Sequence, residues 1–239
     1  MAERDERFWA NILGIEASDW NLPGVCVRPH AGLTGYQGLW SFRHGERVVI
    51  SAPPGWVERV GALIEGVALE RLLQAASWQG LLSDACLATV GPAYQGCLEP
   101  ERFRAVPDAN VERIDGDPTA AFGEFRDAVG AEAWDEDGID DARAFVAVRR
   151  DGSQPVALCG YRQWAADAGD PCVVVHPRFR GRGYGTAVVS AVVQSALAAG
   201  KTLLYQTLES NVGATAIAAK LGYERFAQHI AIRLKSSVT

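Results

Sequence analysis

Three arginines and three glycines fall within Pro177-Arg178-Phe179-Arg180-Gly181-Arg182-Gly183-Tyr184-Gly185-Thr186. Residues of these types at this spacing bind anions. Glycine lets the backbone take conformations closed to residues with a Cβ, so successive N–H groups can converge on one anion without side-chain obstruction. Arg178, Arg180 and Arg182 add full charge. The run before the turn, Cys172-Val173-Val174-Val175-His176, is β-branched, and residues 187–199 after it are apolar at helical spacing. A strand therefore enters the turn and a helix leaves it. The unpaired N–H groups and the positive dipole end of that helix complete a cradle suited to a diphosphate.

Two common nucleotide motifs do not fit. A phosphate loop of the Walker type closes on Gly-Lys-Ser/Thr, and no such tripeptide follows. The dinucleotide fingerprint needs a third glycine where this chain has Thr186, and an acidic residue on the next strand, which reads Leu203-Leu204-Tyr205. What remains is Arg-x-x-Gly-x-Gly, from Arg180 to Gly185.

The elements that position this turn can be read on either side of it. Residues 110–114 read as a strand. Asp117-Pro118-Thr119 opens a helix with Phe122, Phe125 and Val129 on one face and Gly130 at its end. Residues 132–141 are densely acidic and read as a solvated loop or helix end. Residues 144–149 and 155–164 form a hairpin across Arg150-Asp151-Gly152-Ser153, presenting Tyr161 and Trp164. After the turn and its helix come a strand at 201–207, a short helix ending at Lys220, the sequence Leu221-Gly222-Tyr223, and a closing strand at 226–234.

This order resembles the core of the GNAT N-acetyltransferase superfamily across roughly residues 106–235. Three features carry the resemblance together: Val175-His176-Pro177 ahead of the Arg-x-x-Gly-x-Gly turn, Asn211 opening the later helix, and Leu221-Gly222-Tyr223 closing it. The resemblance implies an α/β (α+β) fold, with a mixed, centrally splayed β-sheet flanked by helices. It implies an acetyl-CoA-dependent transfer of an acetyl group to a primary amine of a small molecule or peptide, by direct attack and without a metal. Val173, Val174 and Val175 would then offer backbone groups to the pantetheine arm, with an N–H near Val175 as oxyanion donor. Arg180, Gly181, Arg182, Gly183, Tyr184, Gly185 and Thr186 would hold the pyrophosphate, and Asn211 would touch the arm or an ordered water. The acidic stretch would face a cationic acceptor. Each residue also has a structural reading: valines suit any buried strand, and asparagine is a good helix cap.

Catalysis needs a base to leave the amine neutral. Many members of the superfamily carry a tyrosine seven residues after the asparagine, here Ala218, and some a glutamate five before it, here Gln206. Glu209 is the first candidate to replace them, because it lies beside Asn211 at a strand end. His176 is the second, since imidazole exchanges protons near neutral pH. The phenols of Tyr161 and Tyr205 are further substitutes. The absence of both usual groups keeps open a different class of function, an acyl-CoA-binding sensor or regulatory module without strong catalysis.

The first hundred residues carry no comparable turn. Residues 3–13 read as an amphipathic helix, 25–28 as a strand, and 39–43 with 47–51 as a hairpin. A helix begins at Pro53-Pro54 with the stripe Trp56, Val60, Leu63, Ile64 and Val67; a second helical stretch covers 68–76, and 86–90 is a strand. His30 and His44 lack any metal-ligand spacing. The expected division is a small α/β domain at 1–104, open to a more specific reading as a degenerate GNAT-like unit, and a transferase domain at 105–239.

Composition sets the outer limits. The 239 residues are 48% hydrophobic and 22% charged, an ordinary globular balance. A net charge of −6 argues against a general nucleic-acid binder. No apolar run reaches the roughly 20 residues of a membrane span. Cys26, Cys86, Cys97, Cys159 and Cys172 are odd in number and scattered, as expected of reduced thiols in a cytoplasmic protein, monomeric or homodimeric.

Overall fold

A computed structural model describes residues 3–131, 134 and 139–235. In chain order the described elements are α1 (Glu3–Leu13), β1 (Gly24–Pro29), β2 (Gly38–His44), β3 (Arg47–Ala52), α2 (Val57–Leu63), α3 (Ala75–Leu82) and β4 (Cys86–Leu98). There follow β5 (Val111–Arg113), α4 (Thr119–Val129), β6 (Ala144–Asp151), β7 (Gln154–Ala165), β8 (Ala168–Val175) and α5 (Tyr184–Ala198). Strand β9 (Thr202–Leu208), α6 (Val212–Leu221) and β10 (Glu224–Leu234) end the series. The mixed sheet and its helices agree with the expected fold class.

The chain forms two compact units, discontinuous in sequence. The first comprises Met1–Gln95, Gln206–Asn211 and Arg225–Thr239; the second comprises Gly96–Tyr205 and Val212–Glu224. Residues 96–104, read from sequence with the N-terminal region, belong to the second unit, and two segments of the expected C-terminal region belong to the first.

In the first unit the strand order is β1-β3-β2-β10-β4, with β1 parallel to β3 and β2 antiparallel to both β3 and β10. Strand β2 is buried along most of its length because its two faces serve two cores. Leu39 joins Ile50, Val60, Leu72, Trp78, Ile230 and Ile232 in one apolar cluster. Trp40 and Phe42, one residue out of phase, pack at a tilt against Trp9 of α1, at centroid distances of 6.3 and 4.9 Å. The apolar stripe expected as one helix through Val67 is divided. Trp56 lies in a 3-10 turn at Pro54–Trp56, Val60 and Leu63 lie on α2, and Ile64 and Val67 follow its end, while the second stretch expected at 68–76 is a 3-10 turn at Leu69–Leu73 and the start of α3. Strand β4 runs well past the expected 86–90 and includes Gly91-Pro92.

In the second unit the order is β9-β8-β7-β6-β5, with β8 parallel to β9 and the remaining pairs antiparallel. Phe122 and Phe125 of α4 pack with Trp134, Ile139, Val146, Leu158 and Val174 on one face. Helix α5 covers the other face, packing on β6, β7 and β8 with Val188, Val189, Val192 and Val193 fully buried. Burial on two flanks explains why α5 carries two apolar lines. Its buried residues begin at Gly185, so the helix is packed on the sheet from its first turn.

Candidate functional site

The turn lies in the second unit, where β8 loses its partner. Among the described residues β8 and β9 pair only at Ala168↔Thr202 and Gly169↔Leu203. From Asp170 to Val175 the far edge of β8 is open, while its near edge stays paired with β7. This is the expected splay of two parallel strands. The backbone direction follows from register. His176 N–H donates to Val156 O at 3.0 Å, which makes 176 and 156 a hydrogen-bonded pair. By the alternation of an antiparallel ladder, Asp170, Cys172 and Val174 then bond to β7, and Pro171, Val173 and Val175 point their backbone groups to the open side. Two of the three valines read from sequence therefore present N–H and C=O to the gap, and Val174 turns its own inward. Pro171, at the point of divergence, has no N–H to leave unpaired.

Past Val175 the chain makes a 3-10 turn at Pro177–Phe179, capped by His176, whose Nδ1 accepts from Arg178 N–H at 3.2 Å. Gly181 and Gly183 then take φ of +77° and +82°, conformations that favour glycine. Gly183 is the N-cap of α5 and has no capping side chain. The first intrahelical bond is Ala187 N–H to Gly183 O, so the N–H groups of Tyr184, Gly185 and Thr186 have no partner within the helix. A Cβ at Gly185 would lie 3.0 Å from Val175 Cγ2 and 3.1 Å from Ile217 Cδ1. Glycine thus seats the start of α5 against the open strand. Arg178, Arg180 and Arg182 are exposed. Arg180 Nε donates to Val175 O at 3.4 Å, which holds its guanidinium at the mouth of the gap. Open edge, bare helix terminus and guanidinium converge at the end of β8.

A sequence model of the acetyltransferase (GNAT) family matches residues 111–223, a span that includes β5 to α6 and the whole turn. The chain carries a GNAT-family acetyltransferase domain. No curated protein matches it in sequence. Among solved structures, a GNAT-family protein from Novosphingobium aromaticivorans is similar at a TM-score of 0.51 and 18% identity, over 63% of this chain and 67% of that one. A GCN5-related N-acetyltransferase from Kribbella flavida is similar at 0.50 and 19%, over 66% and 63%. A GCN5-related N-acetyltransferase-like protein from Streptococcus suis is similar at 0.50 and 14%, over 97% of this chain and 99% of that one. At these identities the likeness is one of fold, and in the last case it extends through the first hundred residues.

The GNAT domain's expected catalytic side chains are less openly placed than its turn. His176 spends Nδ1 on the cap just described. Glu209 belongs to the first unit, and its Oε1 is 2.5 Å from Arg225 Nη1. Asn211 is also in the first unit, where its N–H donates to Leu208 O at 3.0 Å. Tyr161 uses its hydroxyl on Thr202 O at 3.0 Å. Of the acidic stretch, residues 132, 133 and 135–138 lie outside the described residues. No group of three or more His, Cys, Asp or Glu is arranged to hold a metal among the described residues, and no described helix is long and apolar enough to cross a membrane.

Two polar clusters escaped the sequence reading. In the GNAT domain, Asp170 is 1% exposed and lies just beyond the last β8–β9 pair. Arg162, its register partner on β7, grips it with Nε at 3.2 Å and Nη2 at 2.9 Å, and Trp164 Nε1 donates at 2.7 Å. This ion pair clamps the hairpin where the splay begins.

The other cluster is in the first unit. Gln95 Nε2 donates to His229 Nδ1 at 2.6 Å and to Gln206 Oε1 at 3.2 Å, and Trp40 stacks on the imidazole at 4.5 Å. Burial drives the His229 pKa from 6.5 to about 4, and the donor facing Nδ1 opposes a second ring proton. A histidine depressed in the fold stabilises it fully above the unfolded value, and that contribution fades as pH falls from 6.5 through 4. The window corresponds to about 3 kcal/mol. Urea midpoints measured at pH 7, 5.5 and 4 are expected to fall more steeply for the wild type than for His229→Gln. Parallel curves would show that His229 titrates normally.

Proposed function

We propose that this protein is an acetyl-CoA-dependent N-acetyltransferase that acetylates a primary amine of a small molecule or peptide by direct attack on the thioester. The carrying observation is the continuity of the open β8 edge, the glycine turn and the bare N-terminus of α5 within a GNAT domain. The residues fit coenzyme A. The N–H groups of Tyr184, Gly185 and Thr186, with Arg180 and Arg182, suit a pyrophosphate. Val173 and Val175 offer the outward N–H and C=O groups that an amide-bearing arm would pair with. Gly185 keeps the helix close enough for both to act together.

Acetyl-CoA would supply the activated acyl group. The chain must hold that group beside the Val175 backbone, whose N–H is the oxyanion donor in this reading. It must also accept a proton from the incoming ammonium, and Glu209 and His176 are the proposed bases. Exchanging Glu209 for Gln, or His176 for Ala, is expected to lower turnover about 100-fold at the true base and to remove the ascending limb of its pH profile. Full activity and an unchanged profile in both variants would assign the base elsewhere, to another group or a water chain.

A second reading has its own observation. The Glu209 carboxylate is engaged by Arg225, and Gln206 and Ala218 cannot titrate, which favours an acyl-CoA-binding sensor. Titration calorimetry of the full chain with acetyl-CoA tests the part both readings share: saturable uptake is expected, and no uptake refutes both. The reading places the protein in the cytoplasm, where acetyl-CoA and reduced thiols coexist.

A further inference from the structure

Arg149, on β6, lies outside every motif of the turn, yet it is 8% exposed and its guanidinium sits 4.1 Å above the ring of Tyr184, the first residue of α5. It is neutralised on its other side. Asp108 Oδ2 is 3.2 Å from its Nε, Asp151 lies at 3.9 Å, and Nη1 donates to Arg150 O. The contact continues beyond Tyr184. Tyr184 and Phe179 are 6.3 Å apart at 33°, His176 meets Phe179 edge-on at 5.4 Å, and Arg182 lies 5.0 Å over Phe179. A continuous series thus runs from Asp108 through Arg149, Tyr184 and Phe179 to both ends of the turn.

We propose that Arg149 is a positioning residue for the phosphate-binding turn, holding Tyr184, and through it Phe179 and His176, in the ligand-ready arrangement. This rests on reading the turn as the coenzyme A cradle. The physical need is plain. A turn containing glycines at 181, 183 and 185 loses more backbone freedom on ordering than one without them, and an arrangement fixed before binding spares that loss at binding. Glycines cannot fix themselves, since they lack side chains to pack. The aromatic residues between them can, provided a group on the rigid sheet holds them, and Arg149 is that group. A planar guanidinium suits this task, because it can lie on a ring with one face while its edge is bound by carboxylates.

The test combines hydrogen exchange at the amides of residues 180–186 with calorimetry and kinetics on the full chain. Arg149→Met is expected to speed exchange in the turn, weaken coenzyme A binding about tenfold and raise the KM for acetyl-CoA with kcat retained. Arg149→Lys is expected to recover part of the affinity. Tyr184→Leu removes the same contact from the other side, and adding it to Arg149→Met is expected to cost little more. It also serves if Arg149→Met does not fold. Wild-type exchange in both single variants overturns the positioning role whatever the ligand. Faster exchange in variants of a protein that takes up no coenzyme A supports the positioning role and sinks the acetyl-CoA reading.

Discussion

Reversing the charge at Arg180, as Arg180→Glu, is expected to weaken coenzyme A binding about 100-fold with little change in stability. Arg180 is exposed, so its replacement disturbs no core. Its Nε is tied to Val175 O, which places the guanidinium between the open strand and the bare N–H groups of α5. A glutamate there withdraws a charged donor and sets a carboxylate against the phosphates. The loss should shrink as salt is raised, because screening weakens attraction in the wild type and repulsion in the variant alike. Arg178→Glu is a useful contrast: that residue is exposed in the same turn, and its N–H is consumed by His176. Equal affinities for wild type and Arg180→Glu in calorimetry would remove the pyrophosphate from this turn.

Asp170→Asn is expected to lower stability by about 3 kcal/mol, among the largest effects of a single substitution in the chain. The carboxylate accepts from two nitrogens of Arg162 and one of Trp164. An amide of the same shape cannot serve all three donors, and the guanidinium loses its counter-charge. Replacing the pair together, as Arg162→Met with Asp170→Leu, is expected to recover part of the loss, because no unmatched charge then remains. Urea denaturation of the three variants decides it. A single variant as stable as the wild type would mean that Asp170 does not clamp the hairpin.

The turn was legible in sequence because its glycines, its charges and the start of its helix are local. Arg180 to Thr186 supply backbone groups and charge within one contiguous stretch, and the residues that bend the chain are the ones that bare its N–H groups. What sequence could not supply was register. Val174 turns inward while Val173 and Val175 face the gap, and only the pairing of His176 with Val156 decides that parity. Register likewise sets Arg162 opposite Asp170. The cluster of Gln95, Gln206 and His229 joins three strands far apart in the chain, and no spacing rule reaches so far. Arg149 is, in sequence, only the last residue of an expected strand, and it is the sheet that sets it over Tyr184. Strand β4 extends beyond the expected 86–90 to Leu98, and Gly91-Pro92, a dipeptide typical of turns, lies within it.

The catalytic assignments were the least legible part, for a chemical reason. A cradle is defined by backbone geometry that composition betrays, whereas a base is any titratable group brought to one point. Here the two usual positions hold Gln206 and Ala218, and the substitutes have other contacts: His176 caps a turn and Glu209 meets Arg225.

Release of free thiol from acetyl-CoA by the full chain, measured across a panel of primary amines and without amine, tests the transferase reading most directly. The expected result is saturable release that depends on at least one amine and is greatly slowed in Arg180→Glu. Tight uptake of acetyl-CoA with no amine-dependent release on any member of a panel spanning small amines and peptide amino termini would contradict it and leave the sensor.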